Sequence, residues 1–153
     1  MASYGGYLYW GTMHVPFSAA NLISDAHGLG LAQYPNTFLK SWRSTVIFRG
    51  TKFDTNKQVN LLYGNKTLPV YADGRWEDRP NNMAGVAGMY GKSGFGNTFN
   101  NYTWSMAVYK NNLFVGTMDE SYLFLDWENL AGHYGEKDIY LGLPLIFDLL
   151  PTP

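Results

Sequence analysis

The chain contains no cysteine. Disulfides, thiolate zinc sites and cysteine nucleophiles are therefore excluded. A redox compartment is not fixed by this, since many secreted β-proteins also lack cysteine. Charge is scarce as well. Charged residues make up 15% of the sequence and the net charge is −1, where about 25% charged residues is ordinary. There is no run of Lys and Arg, so neither nucleic acid nor an anionic membrane surface is an expected partner. Long apolar runs are missing too. The longest candidate, Leu143 to Leu150, is interrupted by Asp148 and falls far short of the ~20 residues that span a bilayer, so no membrane insertion is expected. The N-terminus has neither a charged leader nor a signal-like apolar stretch. Localisation stays open, with an extracellular or cell-surface place implied if the chain is part of a longer secreted protein.

What is present in excess is aromatic and small. Aromatics are 17% of the chain, with twelve Tyr and five Trp, beside 17 Gly. Aromatic side chains pack well on pleated surfaces and glycine supplies the positive φ of tight turns. At 153 residues the length is that of a single domain, residues 1–153, able to bury a core without staples.

The chain also repeats its own opening. Met1 to Met13 reads MASYGGYLYWGTM and Met106 to Met118 reads MAVYKNNLFVGTM, with seven of thirteen positions identical at an offset of 105 residues. Chance would give about one. A shorter middle echo, Leu61-Leu-Tyr-Gly-Asn65, places Gly64 between Gly11 and Gly116 at spacings of 53 and 52 residues. That period is near the ~50 residues of a kelch-type propeller blade, each blade being a four-stranded antiparallel sheet.

Alternation and β-rich composition predict strands at Tyr7–Met13, Thr45–Arg49, Gln58–Tyr63, Trp104–Tyr109, Leu113–Met118, Tyr122–Asp126 and Asp138–Leu141, with a further one at Val86–Tyr90. Lys110-Asn111-Asn112 reads as a hairpin turn. Ser18–His27 has helical composition, with Ser18 as an N-cap and Gly28 as a stop, and Thr37–Trp42 forms one helical turn. The Gly- and Asn-rich stretch Asn81 to Asn101 reads as an ordered loop. Tyr71-Ala-Asp-Gly-Arg-Trp76 resembles an Asp-box turn, one residue short and lacking its leading Ser; a structural Asp-Gly turn is the simpler reading. For the two sequons, at Asn65 and Asn101, chance occurrence is the simpler reading.

The run Ser93-Gly-Phe-Gly-Asn97, followed by Asn100-Asn-Tyr-Thr-Trp-Ser-Met-Ala-Val-Tyr109 and Leu113-Phe-Val-Gly-Thr117, resembles a repeat of bacterial β-propeller proteins of uncharacterised function. It covers about 25 residues closely and Met1–Met13 in part. The resemblance implies an all-β, propeller-like array of antiparallel blades, here with a short helical insertion near residues 18–27. It brings no catalytic residues. About three units fit in the chain, too few to close a propeller of 4–8 blades. The chain is then the C-terminal part of a longer propeller, or copies complete one another as a homo-oligomer.

Chemistry is thinly spread. His14 follows the first repeated strand and Asp119 the second, so His14, Asp119 and Glu120 are candidate acid/base groups on strand-end loops. Exposed turn residues are the simpler account of them. Asp25 and His27 offer two metal ligands, though His27 more simply caps a helix C-terminus; no metal site and no cofactor are assigned. His133 sits in a Gly-flanked loop near Glu136 and Asp138. Asp119, Glu120, Asp126 and Glu128 are near in sequence, but nothing sets the 5–9.5 Å spacing of a glycosidase pair. No nucleophile elbow, phosphate loop or HExxH pattern occurs.

The aromatics carry more. Trp10, Trp42, Trp76, Trp104 and Trp127 are mostly expected in packing, yet flat rings beside amides and hydroxyls suit sugars. The candidate ligand-binding set is Trp10, His14, Tyr102, Trp104, Asp119 and Tyr122. The expected function is a non-enzymatic binding or assembly module with carbohydrate as the favoured ligand. The alternatives are a glycan-acting hydrolase or lyase on a propeller scaffold, and a structural subunit whose aromatic surface is a protein interface. An open β-edge this rich in aromatics invites pairing. The 153-residue chain is therefore expected to self-associate or to need a partner; a compact monomer by light scattering, with no open sheet edge, contradicts that expectation.

Overall fold

The computed structural model describes residues 1–121. The strands expected at Tyr122–Asp126 and Asp138–Leu141, and the candidate residues Tyr122, Asp126, Trp127, Glu128, His133, Glu136 and Asp138, lie outside them. Strands dominate the described chain, all in antiparallel pairs, with two short helices between. Two compact units are distinguished. The first comprises Met1–His14, Arg43–Pro69 and Asp78–Glu120; the second includes Val15–Trp42 and Val70–Glu77.

In the first unit β1 (Ala2–Tyr4), β2 (Tyr7–Gly11), β3 (Ile47–Thr51) and β4 (Gln58–Tyr63) form a four-stranded antiparallel meander. The core is Ile47, Leu61 and Leu62. The register jumps one residue at Leu62, and the two adjacent leucines are both buried where a regular strand would face one of them outward. Trp10 lies opposite Phe48 and stacks on it, with centroids 5.5 Å apart. The guanidinium of Arg49 sits 4.6 Å above the Tyr7 ring.

The repeated segments are one structure made twice. Residues Gly5-Gly6 and Lys110-Asn111 both have positive φ, the signature of a two-residue type I′ hairpin turn. The register matches position for position. Ala2 pairs with Tyr9, Ser3 with Leu8 and Tyr4 with Tyr7. At an offset of 105, Ala107 pairs with Phe114, Val108 with Leu113 and Tyr109 with Asn112. The second copy forms β7 (Asn100–Tyr109) and β8 (Asn112–Asp119). The Tyr4 hydroxyl donates to the Asn111 carbonyl at 2.7 Å, so the two hairpins touch. The middle echo differs. Gly64 lies just beyond β4, where it closes a loop rather than ending a hairpin.

A third hairpin, β5 (Thr67–Ala72) and β6 (Arg75–Pro80), turns at Asp73-Gly74, again with positive φ at both residues. The Asp-Gly turn was legible in the sequence; its flanking strands were not, because Pro69 and the charged run Arg75–Arg79 mask them. Val86–Tyr90 is not a strand. It is bound to β4 by single backbone bonds, such as Met89 N–H to Leu61 O at 3.0 Å.

In the second unit α1 spans Pro16–His27 and α2 spans Tyr34–Ser41. Pro16 occupies the first turn, where its missing N–H costs nothing, so the helix starts two residues before Ser18. Gly28, at φ 63°, ends it, and the N–H groups of Gly28 and Leu29 return to the carbonyls of Asp25 and Ser24. Phe38 is fully buried between Phe17 and Trp42, with ring centroids at 4.7 and 5.3 Å.

Gly11 and Gly116 are equivalent in the repeat but not in their surroundings. A Cβ on Gly11 would lie 2.0 Å from Thr103 Oγ1 and 2.5 Å from its Cβ. On Gly116 it would meet the rotatable Ser105 hydroxyl at 2.9 Å. Gly11→Ala should cost roughly 2 kcal/mol or more of overpacking strain, and Gly116→Ala less than about 1 kcal/mol. Urea denaturation of the two variants checks this, and equal losses contradict the packing described.

Candidate functional site

The site residues are set by the first half of β7. One edge of β7 meets the end of β2: Thr103 N–H donates to Thr12 O at 2.9 Å, Met13 bridges Tyr102, and His14 N–H donates to Asn101 O at 3.2 Å. Its other edge meets β8, ending with Glu120 N–H on Phe99 O at 2.9 Å. His14 and Glu120 therefore flank β7 from opposite edges.

Two register shifts interrupt β7, between Asn100 and Tyr102 and between Thr103 and Ser105. Each leaves one extra residue, Asn101 and Trp104. A bulge re-aims its extra side chain, and here the two go opposite ways. Asn101 is wholly buried; Trp104 is 72% exposed. Tyr102 lies beside Trp104, ring centroids 6.4 Å apart and tilted by 50°. Together they make an aromatic surface on a strand anchored from both edges. Of the expected ligand-binding residues, these two come together. Trp10 is elsewhere, half-buried against Phe48 and Phe53.

Asn101 holds the inner side. Its Nδ2 donates to Arg43 O at 2.6 Å. The second sequon is therefore occupied structurally, since the Asn101 amide is buried. His14 is half-buried, and its pKa falls from 6.5 to about 4 because burial disfavours the charged form and the Arg43 cation repels it. The Arg43 guanidinium in turn donates to the Pro69 carbonyl.

Asp119 and Glu120 have different fates. Asp119 Oδ2 accepts from Asn97 Nδ2 at 2.6 Å, while Asn97 Oδ1 accepts from Phe99 N–H at 2.9 Å. Asn97 thus ties the Gly-Phe-Gly-Asn loop to the end of β8. Glu120 is buried, and burial raises its pKa from 4.5 to about 7. His14 Nε2, Asn100 Oδ1, Asn101 Oδ1 and Glu120 Oε2 are buried without hydrogen-bond partners among the described residues. Sequence reasoning passed over Arg43, and it met Asn97 and Asn101 only within the loop and strand motifs and the sequon, without a structural role.

In the second unit, the His27 ring packs on Tyr71 with centroids 4.8 Å apart. Among the described residues no group of three or more His, Asp or Glu is arranged to hold a metal ion. No family model, curated protein or solved structure matches the chain.

His14 and Glu120 make opposite contributions to stability with pH. The lowered His14 pKa gives stability that is present above about pH 6.5 and lost as pH falls towards 4. The raised Glu120 pKa gives stability that is present below about pH 4.5 and lost as pH rises towards 7. Between about pH 4.5 and 6.5 the two slopes oppose each other. In that window His14→Gln should make stability fall with rising pH and Glu120→Gln should make it rise. Denaturant titrations across the window check the signs, and two variants with the same slope contradict the assignment.

Proposed function

We propose that the chain is a non-enzymatic binding module of propeller-like β-architecture that takes carbohydrate on the Trp104–Tyr102 surface. The observation that carries this is the second bulge of β7, which leaves the Trp104 ring 72% exposed beside Tyr102. A large exposed indole is costly to keep in water and useful against the apolar C–H face of a sugar ring. Anchoring on both edges of β7 holds it in place before a ligand arrives, which lowers the entropy cost of binding. The scarcity of charge agrees with a neutral ligand. The four-stranded antiparallel meander β1–β4 supports the propeller-like reading, as it has the strand number and order of one blade.

The candidate acid/base groups favour binding over turnover. His14 and Glu120 are on opposite edges of β7, and the Asp119 carboxylate is engaged by Asn97. A protein interface is the second reading. It is favoured by Val108, Tyr109 and Phe114, all exposed near the tip of the same hairpin.

A glycan array followed by calorimetry tests the proposal. Binding without product release is expected. Trp104→Ala should weaken it about tenfold or more, as expected for about 1.5 kcal/mol of lost aromatic contact, and leave the melting temperature unchanged because the ring is exposed. Glycan binding that survives in the variant, or a Trp104 covered in a homo-oligomer, overturns the carbohydrate reading; the second outcome supports the interface.

A further inference from the structure

We propose that a second site, between the β4–β5 connection and the segment 87–92, binds a small tetrahedral oxyanion, phosphate or sulfate, free or as an ester. It rests on residues unconnected with the Trp104 surface. An open cavity of about 500 Å³ lies there, lined by Asn65, Lys66 and Thr67 on one wall and by Gly88, Gly91 and Lys92 on the other. No carboxylate lines it among the described residues. Both lysines are exposed, and neither is in an ion pair among the described residues. In a chain of net charge −1, two lysines on one hollow with no acidic lining among the described residues are a local concentration of positive charge. Two ammonium groups match a dianion, and lysine binds phosphate as a point charge.

The walls are built close and fixed. Gly88 N–H donates to Gly64 O and Gly64 N–H to Gly91 O, both at 3.0 Å. A Cβ on Gly88 would lie 2.3 Å from Gly91 O and 2.5 Å from Gly64 N, so this approach requires glycine. Asn81 clamps the rim from outside. Its Nδ2 donates to Asn65 O at 2.7 Å and to Val86 O at 2.8 Å, and its N–H to Lys66 O at 3.0 Å. The volume is that of a small-molecule site and admits a phosphorylated or sulfated monosaccharide.

The test is a ¹⁵N–¹H titration of the full chain at neutral pH and low salt, with inorganic phosphate, glucose 6-phosphate, glucose 6-sulfate and unsubstituted glucose. Saturable shifts confined to residues 64–67 and 87–92 are expected with the oxyanions and not with glucose. The Lys66→Gln/Lys92→Gln double variant should keep its melting temperature and bind at least about tenfold more weakly, from the loss of two charge-assisted hydrogen bonds. Tighter binding of inorganic phosphate supports a free anion, and tighter binding of an ester supports a modified sugar. Absence of saturable shifts up to about 20 mM phosphate, or identical shifts in the double variant, overturns the site. Neither result bears on Trp104.

Discussion

The Thr45 hydroxyl joins three segments that are far apart in the chain. It is fully buried. It donates to Thr12 O at 2.8 Å and lies 2.7 Å from the Thr103 hydroxyl. Its one proton is spent on Thr12, so Thr103 must donate to it. The backbone at Thr45 extends the same node. Its N–H donates to Asn100 O and its carbonyl accepts from Gly94 N–H, both at 2.7 Å. Thr12 completes it, with its own hydroxyl accepting from Val46 N–H at 2.8 Å. One threonine thus connects the first hairpin, the start of β3, the Gly-Phe-Gly-Asn loop and β7. A buried network with such bonding is worth more than its separate bonds, and its partial loss costs more than its absence.

The two bulges of β7 depend on this node. Thr103 sits between the extra residues Asn101 and Trp104, and it is held on one edge by Thr12 and Thr45 and on the other by its pairing with Thr117. With Thr103 fixed, Asn101 turns into the interior and Trp104 turns out. Gly11 gives Thr103 the room to sit there. Gly11 of the first repeat therefore serves the second repeat's strand, whereas the nearest neighbour of Gly116 is the small hydroxyl of Ser105.

The turns at Lys110-Asn111 and Asp73-Gly74 were legible because they are chemical signals, whereas β1 with its Gly5-Gly6 turn and the strands β5 and β6 were not read. Gly5-Gly6, Asp73-Gly74 and Lys110-Asn111 all carry residues that tolerate positive φ, and the repeat marks two of the three as copies. Helix α1 was legible from Gly28 and from its composition, and its start shifted because Pro16 is a better first residue than Ser18 is a cap. Residues in bulges were not legible. Period-two reasoning assigns alternate faces without interruption, so it places Asn101 and Trp104 by parity and misses that both are extra. Burial of Glu120 was also invisible, since a carboxylate after a strand ordinarily faces water. The propeller resemblance rests on the Gly-Phe-Gly-Asn loop and the paired strands. In the structure that loop works as a clamp, through Gly94 on Thr45 and Asn97 on Asp119.

Indole N–H signals offer the most direct test of the Trp104 account. Trp10, Trp42, Trp76 and Trp104 each report their own surroundings among the described residues. During titration with a bound oligosaccharide, the Trp104 indole should shift and saturate while Trp10, stacked on Phe48, stays in place. A bound oligosaccharide that leaves the Trp104 signal unmoved contradicts the account.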